Sequence, residues 1–341
     1  MILKAAILKK ISVVRVEDVE EGPLSIEDVH EPRIEPGQVL VKVSVCGVCY
    51  TDIDIIEGRV QCNLPVIPGH QIVGEVVDIG KDVDNVNIGD RVGIAWIAHT
   101  CGKCFYCRSD QENLCENFKA TGCHVNGGYA EYTVAFKNYV YPLPKNVDNE
   151  RVAPLLCAGA VGYRALKLTN IVDGLRLGLF GFGSSAHIII QIARKLYPSS
   201  DIYVFTRSPQ HQELARRLGA DWVGHPYEDP PKKIDRAIDF TPVGEIIPRA
   251  LEVLNRGGRL VINVIRKQTP IELDYVKHLW MEKEVKSVAN VSRKDVMEFL
   301  KLVEKLGVDV EVQRYKFDEV NKALRDLKAA RVVGSPVLRI S

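Results

Sequence analysis

Four of the nine cysteines crowd into one short stretch, as Cys101, Cys104, Cys107 and Cys115, with the spacing C-x2-C-x2-C-x7-C. Nothing else in the chain restricts its local folding so tightly. Thiolates this close together supply the soft tetrahedral shell that zinc takes, without help from a hydrophobic core. A filled shell leaves no position for a substrate, so the cluster predicts a structural zinc that holds a loop. Lys103, Arg108, Ser109 and Asp110 make that loop polar, a setting in which unliganded thiols are a liability. An iron–sulfur cluster also takes four cysteines, but the spacing matches no known cluster pattern. The odd cysteine total and the 341-residue length argue against a disulfide framework. Cys46, Cys49, Cys62, Cys123 and Cys157 are therefore expected as thiols or metal ligands.

Charge and composition narrow the partners. Lys and Arg number 45 against 44 Asp and Glu, a net charge of +1, so no charge excess favours nucleic acid or a membrane surface. Hydrophobic residues at 46% and charged residues at 26% are ordinary globular proportions. No apolar run approaches the ~20 residues of a membrane span. Met1 to Val16 alternates apolar residues with Lys4, Lys9, Lys10 and Arg15, which reads as a strand rather than a signal peptide. The expectation is a cytoplasmic protein of about two domains.

The hydrophobic pattern changes once along the chain. Over residues 1–150, short runs such as Val39 to Val45, Ile72 to Ile79, Arg91 to Ile97 and Tyr129 to Val134 are separated by Pro and Gly turns, which predicts a β-rich domain. Over 151–289, strands (Arg176 to Phe180, Ile202 to Phe205, Ile234 to Phe240, Arg259 to Ile265) alternate with helices (Ala153 to Leu168, His187 to Leu196, Gln210 to Leu218, Glu245 to Leu254). That alternation predicts a doubly wound parallel sheet, an α/β Rossmann domain. Residues 290–341 return to a mixed pattern and are assigned to the first domain.

Gly181-Phe182-Gly183-Ser184-Ser185-Ala186 lies between a predicted strand and a helix. In that context G-x-G-x-x-A reads as a dinucleotide fingerprint, its glycines letting pyrophosphate approach a helix N-terminus. Ser184 and Ser185 add hydroxyls there. The end of the following strand selects the dinucleotide. An acidic residue would bind the ribose 2′-hydroxyl of NAD, whereas this strand runs into Thr206-Arg207-Ser208, a set that attracts a 2′-phosphate. NADP is expected over NAD.

Three further segments carry Cys49 in Gly47-Val48-Cys49-Tyr50-Thr51-Asp52, His70 in Pro68-Gly69-His70-Gln71, and Cys157 in Leu155-Leu156-Cys157-Ala158-Gly159-Ala160. With the four-cysteine loop between the second and the third, these resemble the zinc-dependent medium-chain alcohol dehydrogenase family, in order and spacing, from Lys4 to the C-terminus. The resemblance implies a GroES-like catalytic domain beside the Rossmann domain. It implies a catalytic zinc on Cys49, His70 and Cys157, and hydride transfer between a nicotinamide and an alcohol, aldehyde or ketone at the cleft between the domains. It also implies two zinc ions per chain, a homodimer or homotetramer, Val161 near the nicotinamide and Trp96 lining an apolar substrate pocket. Two thiolates and a neutral imidazole suit that chemistry, because they offset the charge of zinc and leave one position open. Asp52 is suited to hold the second nitrogen of His70, and Thr51 to accept the alcohol proton. Cys46, three residues before a ligand, reads as packing.

The chain departs from its relatives at several positions. Tyr50 and Gln71 replace a common His and Glu. Asp54 stands where a relay histidine is common, which leaves the outer proton path open, and Ser335 replaces a cofactor arginine. A polyol or sugar dehydrogenase of the same superfamily is the nearest alternative. A non-enzymatic zinc-binding module is the alternative from another class.

Overall fold

The computed structural model describes residues 1–17 and 22–341. In chain order the strands of the first half are β1 (Ile2–Ile7), β2 (Ser25–His30), β3 (Gln38–Gly47), β4 (Gln71–Ile79), β5 (Arg91–Ile94), β6 (Ile97–His99), β7 (Lys119–Ala120), β8 (Tyr132–Phe136) and β9 (Val140–Pro142). The remaining strands are β10 (Leu177–Phe180), β11 (Ile202–Phe205), β12 (Trp222–Gly224), β13 (Ile234–Asp239), β14 (Leu254–Ile262), β15 (Glu284–Ser287), β16 (Val312–Lys316) and β17 (Ser335–Arg339). The helices used below are α1 (Tyr50–Ile56), α2 (Ala158–Leu168), α3 (Ser184–Leu196), α4 (Pro209–Arg217), α5 (Ile246–Glu252), α6 (Arg293–Leu306) and α7 (Val320–Lys328). The chain forms two compact units. One comprises Met1–Cys157, Val291–Glu304 and Val310–Ser341, the other Ala158–Asn290 and Lys305–Asp309.

The first unit is built on β3. Its run Val-Leu-Val-Lys-Val-Ser-Val is rich in β-branched residues, which favour the pleated backbone. Val39, Val41 and Val43 are fully buried, and only Lys42 is exposed. The sheet order is β16-β17-β3-β4-β5-β9, with β8 also on β3. β3 and β4 pair antiparallel from Val39 opposite Ile79 to Gly47 opposite Gln71. The residues that follow β3 therefore face those that precede β4, an antiparallel consequence that brings Cys49 toward His70. Ile53, Ile55 and Ile56 of α1 and Val320, Ala323 and Leu324 of α7 complete the core.

The second unit is a six-stranded, all-parallel sheet in the order β12-β11-β10-β13-β14-β15. β10 and β11, Leu-Gly-Leu-Phe and Ile-Tyr-Val-Phe, are buried along their whole length, as parallel strands covered on both faces are. The order reverses direction between β10 and β13. Such a switch point opens a crevice at the carboxyl edge of the sheet, where ligands of this architecture bind. This is the α/β fold the sequence predicts.

Several elements differ from the sequence reading. The N-terminal strand stops at Ile7 and pairs with β2, whose Ser-Ile-Glu-Asp-Val-His shows no fully buried position. Arg91 to Ile97 is divided into β5 and β6. β15 is exposed at all four residues and carries no hydrophobic run to announce it. Cys62 and Cys123, expected as ordinary thiols, form a disulfide across 61 residues. The three other cysteines outside the loop, Cys46, Cys49 and Cys157, and the four within it, Cys101, Cys104, Cys107 and Cys115, are free.

Candidate active site

Cys49 is the N-cap of α1, directly after β3 and Val48. Its extended backbone turns the chain into the helix, and Asp52 in the first turn accepts a hydrogen bond from the Cys49 backbone N–H at 2.8 Å. The acidic residue is also favourably placed at a helix N-terminus. His70 directly precedes β4. Gly69 before it has φ +92, and a Cβ there would lie 2.5 Å from the Tyr129 ring, so only glycine fits this turn. Cys157 follows a fully buried 3-10 turn over Ala153–Leu156. The ligand atoms of Cys49, His70 and Cys157 lie within 4.8 Å of one another. His70 Nε2 is 3.3 Å from Cys157 Sγ.

The other ring nitrogen of His70, Nδ1, is 3.2 Å from Asp52 Oδ1, with both side chains wholly buried. This contact fixes the ring and leaves Nε2 toward the sulfurs. Burial opposes charge on His70, but Asp52 and Cys49 outweigh it and raise the pKa to about 10. Cys49 is held well below the usual thiol range, first by its hydrogen bond from Cys157 and then by His70. Cys157 is pushed well above it by the same pairing and by burial. Two sulfurs and one imidazole nitrogen facing one point form the donor set of a three-ligand zinc site with an open position, so the residues fit the metal.

Thr51 Oγ1 lies 3.6 Å from Cys49 Sγ. Trp96 is largely buried, and its ring meets His70 edge-on with centroids 5.1 Å apart. Asp54, at the position of the missing relay histidine, is almost fully buried and ion-paired with Arg59 at 2.6 Å. It pins the end of α1. Gln71 is buried against Gly47. Cys46 is fully buried beside Gly69 and Gly128 and is not among the clustered ligands.

Cys101, Cys104, Cys107 and Cys115 also converge, with all four sulfurs within 4.8 Å of one another. Backbone N–H groups of Lys103 and Cys104 lower the Cys101 pKa to about 6, favouring the ligating thiolate. Glu112, buried in this loop, accepts hydrogen bonds from the backbone N–H and Nε of Arg293, at the start of α6. The loop is thus fastened at a second point.

In the second unit, β10 leads into Gly181, which has φ +83 and sits so close to Thr241 that a Cβ would lie 2.8 Å from its methyl group. Gly183 caps α3 and has open space around it. Ser184 and Ser185 form the first turn of α3. These features fit a pyrophosphate at a helix N-terminus. Beyond β11, Thr206 is buried, Arg207 is exposed, and the Ser208 hydroxyl caps α4 by accepting from His211 N–H at 3.4 Å. Val161 is half-buried in α2, and Ser335 is buried in β17.

Two sets of residues escaped the sequence reading. Tyr129, fully buried, donates its hydroxyl hydrogen bond to Asp52 Oδ2 at 2.9 Å. At the carboxyl edge of the parallel sheet, buried Asp239 takes an ion pair from Lys267 and a hydrogen bond from the Thr241 hydroxyl at 2.7 Å. The Tyr129–Asp52 and Lys267–Asp239 contacts join residues 77 and 28 apart, and no local motif marks either.

Residues 35–145 match the family model described as Alcohol dehydrogenase GroES-like domain. A Mycobacterium tuberculosis protein described as "Probable alcohol dehydrogenase AdhA" is 41% identical over 328 residues, covering 94% of each chain. The solved alcohol dehydrogenase of Aeropyrum pernix is 29% identical, with a TM-score of 0.87 over 99% of this chain and 100% of that one. A cobalt- and zinc-bound thermostable alcohol dehydrogenase from Pyrobaculum aerophilum is 25% identical, with a TM-score of 0.88 over 99% and 100%. The full-length match sets aside the non-enzymatic module. The chain belongs to the zinc-dependent medium-chain alcohol dehydrogenase family, and it is a nicotinamide-dependent alcohol oxidoreductase.

Proposed function

We propose that this enzyme holds two zinc ions per chain and transfers hydride between NADP(H) and apolar alcohols, aldehydes or ketones. The observation that carries the reading is the convergence of Cys49, His70 and Cys157, backed by Asp52, at the joined ends of β3 and β4. Bound there, zinc supplies Lewis acidity to the substrate oxygen. The protein's own groups do the rest. Asp52 keeps His70 in the tautomer whose Nε2 faces the sulfurs. Thr51, beside Cys49, would accept the alcohol proton, since Asp54 is occupied by Arg59. The aromatic edge of Trp96 against His70 supports an apolar substrate over a polyhydroxylated one. Cys101, Cys104, Cys107 and Cys115 hold the second, structural ion.

The preference for NADP rests on Arg207, exposed at the end of β11 where a carboxylate would exclude a 2′-phosphate. Comparing kcat/KM with NADP and NAD tests it. The wild type is expected to favour NADP and Arg207→Asp to favour NAD, and equal efficiency of the wild type with both would contradict the reading. A homo-oligomer is supported by the exposed edge strand β15 and by the exposed apolar residues Tyr275, Val276, Trp280 and Met281 in the second unit. An open edge beside an apolar patch is a surface that a second copy covers. Among the described residues no helix is long and apolar enough to cross a membrane. The cytoplasm is the proposed location, and the Cys62–Cys123 disulfide is of a kind that reducing compartments retain mainly in hyperthermophiles.

A further inference from the structure

We propose that Tyr129 is a positioning residue of the catalytic metal site, acting on the ligand His70 through Asp52. The inference rests on the reading that Cys49, His70 and Cys157 hold zinc. Asp52 is wholly buried, and it faces three donors: the Cys49 backbone N–H at 2.8 Å, His70 Nδ1 at 3.2 Å and the Tyr129 hydroxyl at 2.9 Å. The first two hold one carboxylate oxygen each, Oδ2 and Oδ1, and the tyrosine shares Oδ2 with the Cys49 N–H. A buried carboxylate is stable only when its lone pairs are satisfied, and Oδ2 takes both of its hydrogen bonds from outside the imidazole. Those two bonds fix the plane of the carboxylate and hence the direction in which Oδ1 meets His70.

Tyr129 is itself held from several sides. Its backbone N–H donates to Pro68 O at 3.0 Å, its carbonyl accepts from Ala6 N–H at 2.8 Å, and its ring packs against Gly69. One residue thus braces both the turn that presents His70 and the carboxylate that orients it. Cys123, six residues earlier, is tied by its disulfide to Cys62, so the segment that carries Tyr129 is anchored to the chain that follows α1. A carboxylate bonded directly to a ligand, as Asp52 is to His70, holds the ligand's geometry and basicity, and Tyr129 stands one hydrogen bond further out.

Tyr129→Phe keeps the ring and removes only the hydroxyl. The test follows zinc release from the full-length holoprotein to a chromophoric chelator, alongside the visible spectrum of the cobalt-substituted protein and the melting temperature. The four-cysteine site serves as an internal control in every sample. Wild type is expected to release two zinc ions per chain in two phases. In Tyr129→Phe the phase belonging to the three-ligand site is expected to accelerate about 3- to 10-fold, below the 10–100-fold typical of a direct ligand partner. The four-cysteine phase should keep its rate, and only the cobalt bands of the three-ligand site should shift. Unchanged release from the three-ligand site would overturn the proposal. So would equal acceleration of both phases together with a lowered melting temperature, the mark of a merely structural tyrosine. Wild type holding a single zinc, retained when Cys157 is replaced by Ala, would instead refute the zinc reading beneath it.

Discussion

At the scale of single residues, Thr51 and Asp54 lie in the same helix but face different partners. Asp54 is buried and paired with Arg59, so its carboxylate is committed to the end of α1. Thr51 remains as the hydroxyl next to a ligand, 3.6 Å from Cys49 Sγ. Removing a group that moves a proton in the rate-limiting chemistry lowers turnover by about 10²-fold or more. Thr51→Ala should therefore reduce kcat by about that factor at neutral pH while zinc content and melting temperature stay unchanged, and Thr51→Ser should restore most of the rate. Full activity of Thr51→Ala across the pH range would remove Thr51 from the proton path. Cys49, His70 and Cys157 could be singled out in the sequence because the segments that carry them resemble those of a known family, and the fold brings the three together. Tyr129 could not, because its partner Asp52 lies 77 residues away and only the fold brings them together.

At the scale of elements, α1 carries the site and is fixed at both ends. Its first turn holds Cys49 through Asp52. Beyond its last turn, Glu57 accepts from Val14 N–H at 3.1 Å and is ion-paired with Arg59 and Lys328, joining the N-terminal segment to α7. Burial acts to raise the Glu57 pKa, and Lys328, Arg59 and the Val14 N–H overcome it to hold the carboxyl below its ordinary 4.5. A carboxyl with a depressed folded pKa adds stability above its unfolded pKa, and that contribution fades as pH falls through the folded value. Glu57→Gln should lower stability by about 1–3 kcal/mol at pH 7, and the gap from wild type should narrow as pH falls below the ordinary glutamate value and through the lower folded one. A gap constant with pH in denaturant titrations would contradict this. The disulfide between Cys62 and Cys123 closes a long loop, which constrains the unfolded chain by as much as about 4 kcal/mol. Cys62→Ser should lower the melting temperature and make it insensitive to reductant; an unchanged melting temperature would show that the fold does not depend on the bond. This pairing was invisible in the sequence, where an odd cysteine total and the dense four-cysteine loop drew the count toward metal. Among the strands that escaped, β2 and β15 are largely polar and have no fully buried position, so they lack the hydrophobic run that marked β3 and β4. The strands flanking the glycine loop were legible because buried parallel strands are nearly all apolar.

At the scale of the whole molecule, the two candidate residue sets lie in different units. The β-rich unit holds both cysteine clusters, and Cys157 is its last residue before the chain passes into the parallel sheet at Ala158. The parallel unit holds the glycine turn, Arg207 and the switch point at its carboxyl edge. Neither unit alone carries both the proposed zinc ligands and the proposed cofactor loop, so activity is expected of the entire chain and not of either part. The most direct test is to mix the zinc-loaded protein with NADP and a panel of apolar primary and secondary alcohols and to follow the near-ultraviolet absorbance of reduced nicotinamide. Alcohol-dependent reduction is expected, and it should be lost in Cys157→Ala while the four-cysteine zinc remains bound. No reduction with any alcohol, and no oxidation of NADPH with the matching aldehydes or ketones, by protein that holds two zinc ions per chain would contradict the proposed function.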